Sequence, residues 1–586
     1  MRTLHDPIRI RIAEKIHSVL SLLGEVSLSV SEIYDQLVEP PNSAMGDLAF
    51  GCFLLAKALK KGPPQIALAL KEKIQADGEI AKVEAAGPYL NFTLTSDFLA
   101  RQVLTPILSG ETFKRKLTEA SPKTMIEYSQ PNTHKEIHVG HMRNACLGDS
   151  LVRMHRYIGY EMISSTFPGD VGTHVAKCLW YMKYHNSEAI PTSGKGEWLG
   201  RIYSKANLLL EDQLGTAFEA TNREQLTAIL KQLENHQGEF YDLWKETRQW
   251  SIDLMKSVYA WAGITFDQWY WESDVDAASV KYVKELYAEG KLVKSEGAIG
   301  MDLSDENLGF CLLLKSDGNG LYATKDVELA RRKFQDYHIQ KSIYVVDIRQ
   351  ELHLKQVFKV LERLGFAEAK NCFHLKYNFV ELPDGAMSSR KGNIVPLMEL
   401  VQRMEAMVKT NYLARYAQEW SQDEVNLVAT QVAKGAIKYG MLRMDTAKKI
   451  VFDMDEWLKL DGESGPFIQY SGARINSLLK KMGYDKNQAM QVSGAELVHP
   501  AEKALMQSLL NFNTQVVSAT ENEKPHALCT YLYDLAKRFN LFYHECSIGQ
   551  AATPELKTAR LALAASTGEI LKQGLALLGI PVPERM

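Results

Sequence analysis

Two histidines bracketing a valine and a glycine, His138-Val139-Gly140-His141, are the sharpest chemical signal in the chain. They stand where an apolar run over residues 123–128 has passed through the loop Ser129-Gln130-Pro131-Asn132-Thr133 into a stretch of helical periodicity. A helix N-terminus offers unpaired backbone N–H groups and the positive end of the helix dipole, so it favours anions. Two imidazoles there add donors, and a glycine between them lets an anionic ligand approach the backbone. The pattern points to phosphate oxygens and phosphoryl chemistry. Two other readings compete with it. Such histidines can be ordinary core or surface residues. With His134 they could be offered as zinc ligands, but no Cys or acidic ligand lies at a suitable spacing, and Pro131 and Gly140 spoil a single helical face.

A second run, Met387-Ser388-Ser389-Arg390-Lys391-Gly392, sets hydroxyls beside two cations. Taken alone it reads as a solvated turn, and it gains weight only beside the histidine motif. Gly318-Asn319-Gly320-Leu321-Tyr322-Ala323 fits a loose G-x-G-x-x-A dinucleotide fingerprint. A dehydrogenase built on it would leave His138 to His141 and the helical C-terminus without a task, and nicotinamide binding would reveal it.

These residues need a scaffold, and the periodicities supply one. Residues 123–128 read as a buried strand, Leu147, Leu151, Met154 and Ile158 mark one helix face, and residues 162–166 read as another strand. That succession predicts a parallel βαβ unit. A second unit begins with a strand over 342–347 and a helix over 351–364. Between about 175 and 300 the chain reads as mostly helical and rich in Trp and Tyr, an insertion that splits the α/β domain. Upstream, residues 8–37 predict mostly helix, residues 54–76 predict helix around the break Gly62-Pro63-Pro64, and the alternating runs 80–84 and 89–94 predict strands joined at Gly87-Pro88. From Glu399 on, helical periodicity dominates, with Leu528, Leu532, Leu535, Phe539 and Phe542 in one stripe. The expected organisation is an α+β domain over 1–112, an α/β domain over 113–380, a connecting segment over 381–440 and a helical bundle over 441–586.

Composition bounds the function without naming it. With 586 residues the chain exceeds a single core, and at roughly 150 residues per domain it should hold about three or four. A net charge of −3 confines nucleic-acid contact to local basic patches. Seven scattered cysteines without a C-x-x-C pair fit a reducing compartment. The N-terminus lacks a signal-peptide run, and no apolar stretch approaches the roughly 20 residues that span a bilayer, so a soluble cytoplasmic protein is expected.

His138 to His141 resembles the HIGH motif of class I aminoacyl-tRNA synthetases, and Met387 to Gly392 resembles their KMSKS loop, in the family's order and wide separation. The loop departs from the general pattern, with Ala386 at its first position and Ser389 where a lysine is usual. That departure is typical of arginyl-tRNA synthetases, in which a lysine three residues before HIGH is thought to compensate; Lys135 stands there. The resemblance extends to Glu127-Tyr128-Ser129-Gln130-Pro131-Asn132, to Gly169-Asp170-Val171-Gly172-Thr173-His174, to Tyr322-Ala323-Thr324-Lys325-Asp326, to Gln350 and to the ending Leu578 to Met586.

The resemblance implies an α/β multidomain protein with a Rossmann-type parallel-sheet catalytic domain, an N-terminal domain touching the tRNA elbow and an all-α anticodon-binding bundle. It implies ATP with magnesium held mainly by the phosphates, L-arginine and tRNA(Arg) as substrates, no membrane, and a monomer. His138, Gly140, His141, Met387 and Ser388 would contact ATP, and Lys135, Ser389, Arg390 and Lys391 would join the two histidines and Ser388 in stabilising phosphate charge. Arginine's planar cation calls for a matched carboxylate. Asp326 is expected to supply it, Tyr322 to pack on or hydrogen-bond the guanidinium, and Glu127, Asn132 and Gln350 to orient the α-amine and carboxylate. In the bundle, Tyr531, Tyr533, Lys537, Arg538, Phe542 and Tyr543 could offer phosphate contacts and stacking faces to RNA.

Overall fold

The alternating runs near residues 80 and 90 become a hairpin, and the hairpin becomes part of a sheet. The computed structural model describes residues 6–42, 45–118, 121–382, 385–386, 396–416, 418–491 and 493–586. Strands β1 (Leu37–Val38), β2 (Leu48–Gly51), β3 (Ile80–Ala86) and β4 (Tyr89–Leu94) form an antiparallel sheet in the order β1-β2-β4-β3. Helix Pro63–Lys73 packs on β3 and β4, and Pro7–Leu20 lies against that helix. The helix predicted over 8–37 is two helices, because Ser29 starts a new one, Val30–Asp35, with a reciprocal capping box to Glu32. β2 escaped the sequence reading: its four residues are all buried, so they carry no alternation.

The middle of the chain builds a five-stranded parallel sheet. Its strands are β5 (Thr124–Glu127), β6 (Met162–Thr166) and β7 (Gln268–Trp269), then, after the antiparallel trio β8 (Val293–Ser295), β9 (Ala298–Asp302) and β10 (Phe310–Leu314), β11 (Lys341–Asp347) and β12 (Cys372–Tyr377). The spatial order is β12-β11-β5-β6-β7. The chain therefore leaves the central β5 in one direction through β6 and β7, and returns to its other side with β11 and β12. A crevice opens at the carboxyl ends of β5 and β11, where the winding reverses.

Helices Thr173–Tyr184, Lys195–Asp212, Phe218–Glu234 and Glu239–Ala262 form the predicted insertion. It is less uniformly helical than expected: β7 returns to the main sheet, and β8 and β9 fall in or at the edge of the span read as helix. The loose dinucleotide fingerprint is a turn after β10, an antiparallel strand, so it lacks the parallel βαβ setting that motif needs.

Beyond β12, helices Leu397–Val408 and Gln422–Leu442 lead to a bundle of Gly465–Lys481, Pro500–Leu510, Phe512–Glu521, Pro525–Glu545 and Pro554–Leu577. Leu528, Leu532, Leu535, Phe539 and Phe542 are all buried along Pro525–Glu545, as their spacing predicts. Phe542 is fully buried, which withdraws it as a stacking face for RNA. All seven cysteines are free. Among the described residues no helix is long and apolar enough to cross a membrane.

Candidate active site

The crevice is a cleft of about 640 Å³. Glu127, Asn132, His138, Gly140, His141, Tyr322, Asp326 and Gln350 all line it, drawn from three separate stretches of the chain. Lys135 stands outside the lining, and Met387, Ser388, Ser389, Arg390 and Lys391 lie outside the described residues.

The loop after β5 is held rigidly. Ser129 adopts φ +55°, a left-handed conformation that costs a non-glycine residue roughly 1–3 kcal/mol. Its N–H donates to Asn144 Oδ1 at 2.6 Å, its carbonyl accepts from Thr166, and its hydroxyl bonds Tyr259 at 2.9 Å. Asn144 also donates to Val345 O at 2.8 Å, so one side chain of the following helix ties the loop to β11. That helix, Val139–Ile158, rides on Tyr128 because residue 148 is glycine: a Cβ there would sit 2.0 Å from Tyr128 Cγ.

His138 caps the helix. Its Nδ1 accepts from Gly140 N at 3.1 Å, and its own N–H donates to His141 Nδ1 at 3.2 Å, with the rings 3.9 Å apart. Each Nδ1 is therefore an acceptor, and each neutral ring carries its proton on Nε2. Burial, then the charge of Lys135, pushes His138 down to about 4; burial, then His138 and Lys135, holds His141 well below the ordinary value. At neutral pH the pair is uncharged and offers Nε2–H donors. His134 is a separate case: its nitrogens bond Thr133 at 2.9 Å and Thr247 at 2.8 Å, which commits it to the interior and removes it from the zinc reading.

Opposite the histidines the cleft is acidic. Glu127, at the end of β5, accepts from the buried Lys333 and, at 3.2 Å, from Gln130. Tyr322 and Asp326 share a face of helix Tyr322–Tyr337, four residues apart, and Tyr322 is 71% exposed. Asp326 Oδ2 accepts from His353 Nε2 at 2.6 Å. Gln350 begins helix Glu351–Arg363 just past β11.

Glu272 and the partners of Asp170 complete this site and went unnoticed in the sequence, where Asp170 figured only within the segment Gly169 to His174. Glu272, in the first turn of helix Glu272–Ala288, lines the cleft with its carboxylate 3.6 Å from Lys325. Burial pushes it up to about 7; Lys325 opposes that, and Asp170, Asp326 and Asp276 add to it. Asp170 is fully buried and satisfied by Arg248 at 2.6 Å and by Ser273 N–H and hydroxyl at 2.9 and 2.7 Å. It fixes the corner where a Cβ on Gly169 would stand 2.3 Å from Asn132 Oδ1. A further local signal was Lys333, a charge seven residues after Asp326 on the buried face of an amphipathic helix.

Neutral donors over a helix N-terminus on one side and carboxylates on the other suit a ligand with phosphates at one end and a cation at the other. The chain is similar to known proteins along nearly its whole length. Residues 103–454 match the model of tRNA synthetases class I (R), catalytic domain; residues 8–94 match the arginyl tRNA synthetase N terminal domain, and residues 468–586 match the DALR anticodon binding domain. The arginine–tRNA ligase of Bdellovibrio bacteriovorus is 63% identical over 99% of this chain and 100% of its own length, and that of Clostridium botulinum is 36% identical over 96% and 98%. The solved Thermus thermophilus arginyl-tRNA synthetase superposes with a TM-score of 0.77 at 28% identity, covering 99% of this chain and 100% of that one. The Plasmodium falciparum arginyl-tRNA synthetase shares the fold, with a TM-score of 0.76 at 21% identity and full coverage of both chains. The chain belongs to the arginyl-tRNA synthetase family.

Proposed function

We propose that the cleft at the ends of β5 and β11 activates L-arginine with ATP and passes it to the 3′-terminal adenosine of tRNA(Arg). The observation that carries this reading is the pairing, across one cleft, of the neutral His138–His141 donors with the carboxylates of Glu127, Asp326 and Glu272. Asp326 takes the guanidinium, Glu272 lends it a second carboxylate, and Tyr322 covers it. Glu127, Asn132 and Gln350 orient the α-amine and carboxylate. The arginine carboxylate then attacks the α-phosphate in line, forming arginyl-adenylate and releasing pyrophosphate. His138, Gly140 and His141 receive the phosphates, Met387 and Ser388 contact ATP, and Lys135 joins the two histidines, Ser388, Ser389, Arg390 and Lys391 in stabilising charge that develops there. The terminal hydroxyl of tRNA next attacks the activated carbonyl and AMP leaves. Positioning and electrostatics do the catalytic work, without a protein nucleophile.

Magnesium belongs to this proposal as the counter-ion of the ATP phosphates. Glu127, Asp326 and Asp347 are engaged by Lys333, His353 and Arg349, and the described residues hold no cluster of three metal-ligating side chains. The N-terminal domain is assigned to the tRNA elbow and the C-terminal bundle to the anticodon. Free, mostly buried thiols support a cytoplasmic setting, and a monomer completes the proposal.

The test is ATP-dependent charging of total tRNA, with each of the twenty amino acids offered separately and Asp326→Ala run alongside. Charging with arginine alone, lost in the variant, is the expected result. Charging with another amino acid would sink the arginine assignment.

A further inference from the structure

Lys135 does not face empty solvent beside the cleft. Its ammonium lies 5.2 Å from the centroid of the Tyr203 ring, within cation–π range. Tyr203 belongs to helix Lys195–Asp212 of the insertion and is 5% exposed, set among Trp198, Leu199, Ile202 and Trp250. The same helix reaches the backbone of the lysine's loop. A Cβ on Gly200 would stand 2.2 Å from Glu136 Cγ and 2.7 Å from Glu136 N, so only glycine admits this approach. Gly200 and Tyr203 are three residues apart and therefore on one helix face. The lysine's charge also reaches His138, His141 and His174, where it adds to burial in keeping the imidazoles neutral.

We propose that Tyr203, seated by the close approach at Gly200, is the positioning residue for Lys135, which makes the helical insertion part of the activation machinery. The inference rests on the role given to Lys135 above. The chemistry favours a ring over an acid at this position. A carboxylate would hold the ammonium but cancel its charge, whereas an aromatic face fixes the ammonium and leaves the positive charge available to phosphate oxygens. Without the ring, Lys135 keeps its charge but loses the aromatic contact that helps to orient its four methylenes, and the turnover it supports falls.

The experiment uses the full chain with saturating ATP and tRNA(Arg) and with arginine varied, and measures pyrophosphate exchange for Lys135→Ala, Tyr203→Leu, Tyr203→Phe, Gly200→Ala and the Lys135→Ala/Tyr203→Leu double variant. Tyr203→Leu should lower kcat roughly 5- to 20-fold and leave the KM for arginine nearly unchanged. Tyr203→Phe keeps the ring face and should retain most activity. Gly200→Ala should act in the same direction as Tyr203→Leu, and it carries the test if the leucine variant does not fold. In the Lys135→Ala background the leucine substitution should have no further effect. An additive loss in the double variant, or a phenylalanine variant as damaged as the leucine one, would overturn the proposal and leave Tyr203 a packing residue. Full activity in Lys135→Ala would instead overturn the role of the lysine, and is told apart from the first failure by that single variant alone.

Discussion

Asp326 and His353 share a hydrogen bond of 2.6 Å between Oδ2 and Nε2–H, joining the two mutually packed helices that precede and follow β11 in the chain. Burial disfavours a charge on His353, but the bond and the charge of Asp326 outweigh it and raise its pKa. The histidine thus fixes one oxygen of the carboxylate and leaves the other for a planar cation. Free rotation of Asp326 would otherwise have to be frozen at the moment of binding.

Asp326→Asn keeps the shape and removes the charge. A hydrogen bond to a charged group is worth about 1.5–3 kcal/mol, so the KM for arginine should rise about 10- to 100-fold while that for ATP hardly moves. His353→Gln, which retains a donor, should cost less than His353→Leu. Steady-state charging with arginine and ATP varied in turn measures all three; an equal rise in both KM values for Asp326→Asn would place the residue outside the arginine pocket.

Glu272 predicts a proton count. Burial holds its pKa at about 7, so near pH 6.5 much of it is protonated in the empty cleft. A guanidinium arriving beside it favours the ionised form and expels the proton. Arginine binding measured by calorimetry at pH 6.5 in buffers of different ionisation enthalpy should therefore release up to about three quarters of a proton, and Glu272→Gln should reduce that release. Identical heats in all buffers would remove Glu272 from contact with the substrate.

The sequence disclosed the parts of this site that are local and concealed those that are not. The βαβ unit and the His138-Val139-Gly140-His141 cap are short-range patterns, and both stand where periodicity puts them. Glu127 and Lys333 are 206 residues apart, Asp170 and Arg248 are 78 apart, and Asp326 and His353 are 27 apart. Pairings at such separations are set by sheet order, which no local periodicity encodes. Glu272 was invisible for the same reason: only the corner at Gly169 and Asp170 turns its helix into the cleft.

Gly148 sets two physical effects against each other. Alanine in a helix interior is favoured over glycine by about 1 kcal/mol, so propensity alone predicts stabilisation. Packing predicts the reverse, because the added Cβ would stand 2.0 Å from Tyr128 Cγ and 2.4 Å from its Cβ, and Tyr128 is fully buried. Overpacking costs about 1–3 kcal/mol, which exceeds the gain. Gly148→Ala should lower the thermal midpoint and, by displacing the neighbouring Ser129 loop, lower pyrophosphate exchange too. A raised midpoint with full activity would mean that the helix slides freely over the strand.

The buried imidazoles make stability depend on pH in a direction that can be worked out. Burial pushes His134 down to about 3 and His138 to about 4, and holds His141 and His174 well below the usual 6.5. Below pH 6.5 the unfolded chain protonates these groups while the folded chain does not, so their contribution is complete above that pH and shrinks as pH falls towards the folded values. Glu272 has the opposite sign: its folded pKa of about 7 lies above the ordinary 4.5, so between those values it favours the fold as pH falls. Four imidazoles that take up protons on unfolding outnumber the one carboxyl that releases its own, so these five groups together make the fold lose stability as pH falls from 6 to 5. Denaturant midpoints followed across that interval should fall steeply, and His134→Asn should reduce the slope by close to one proton. A flat profile would show that the histidines are open to water, and with it that the His138–His141 pair is not a preformed neutral donor for phosphate.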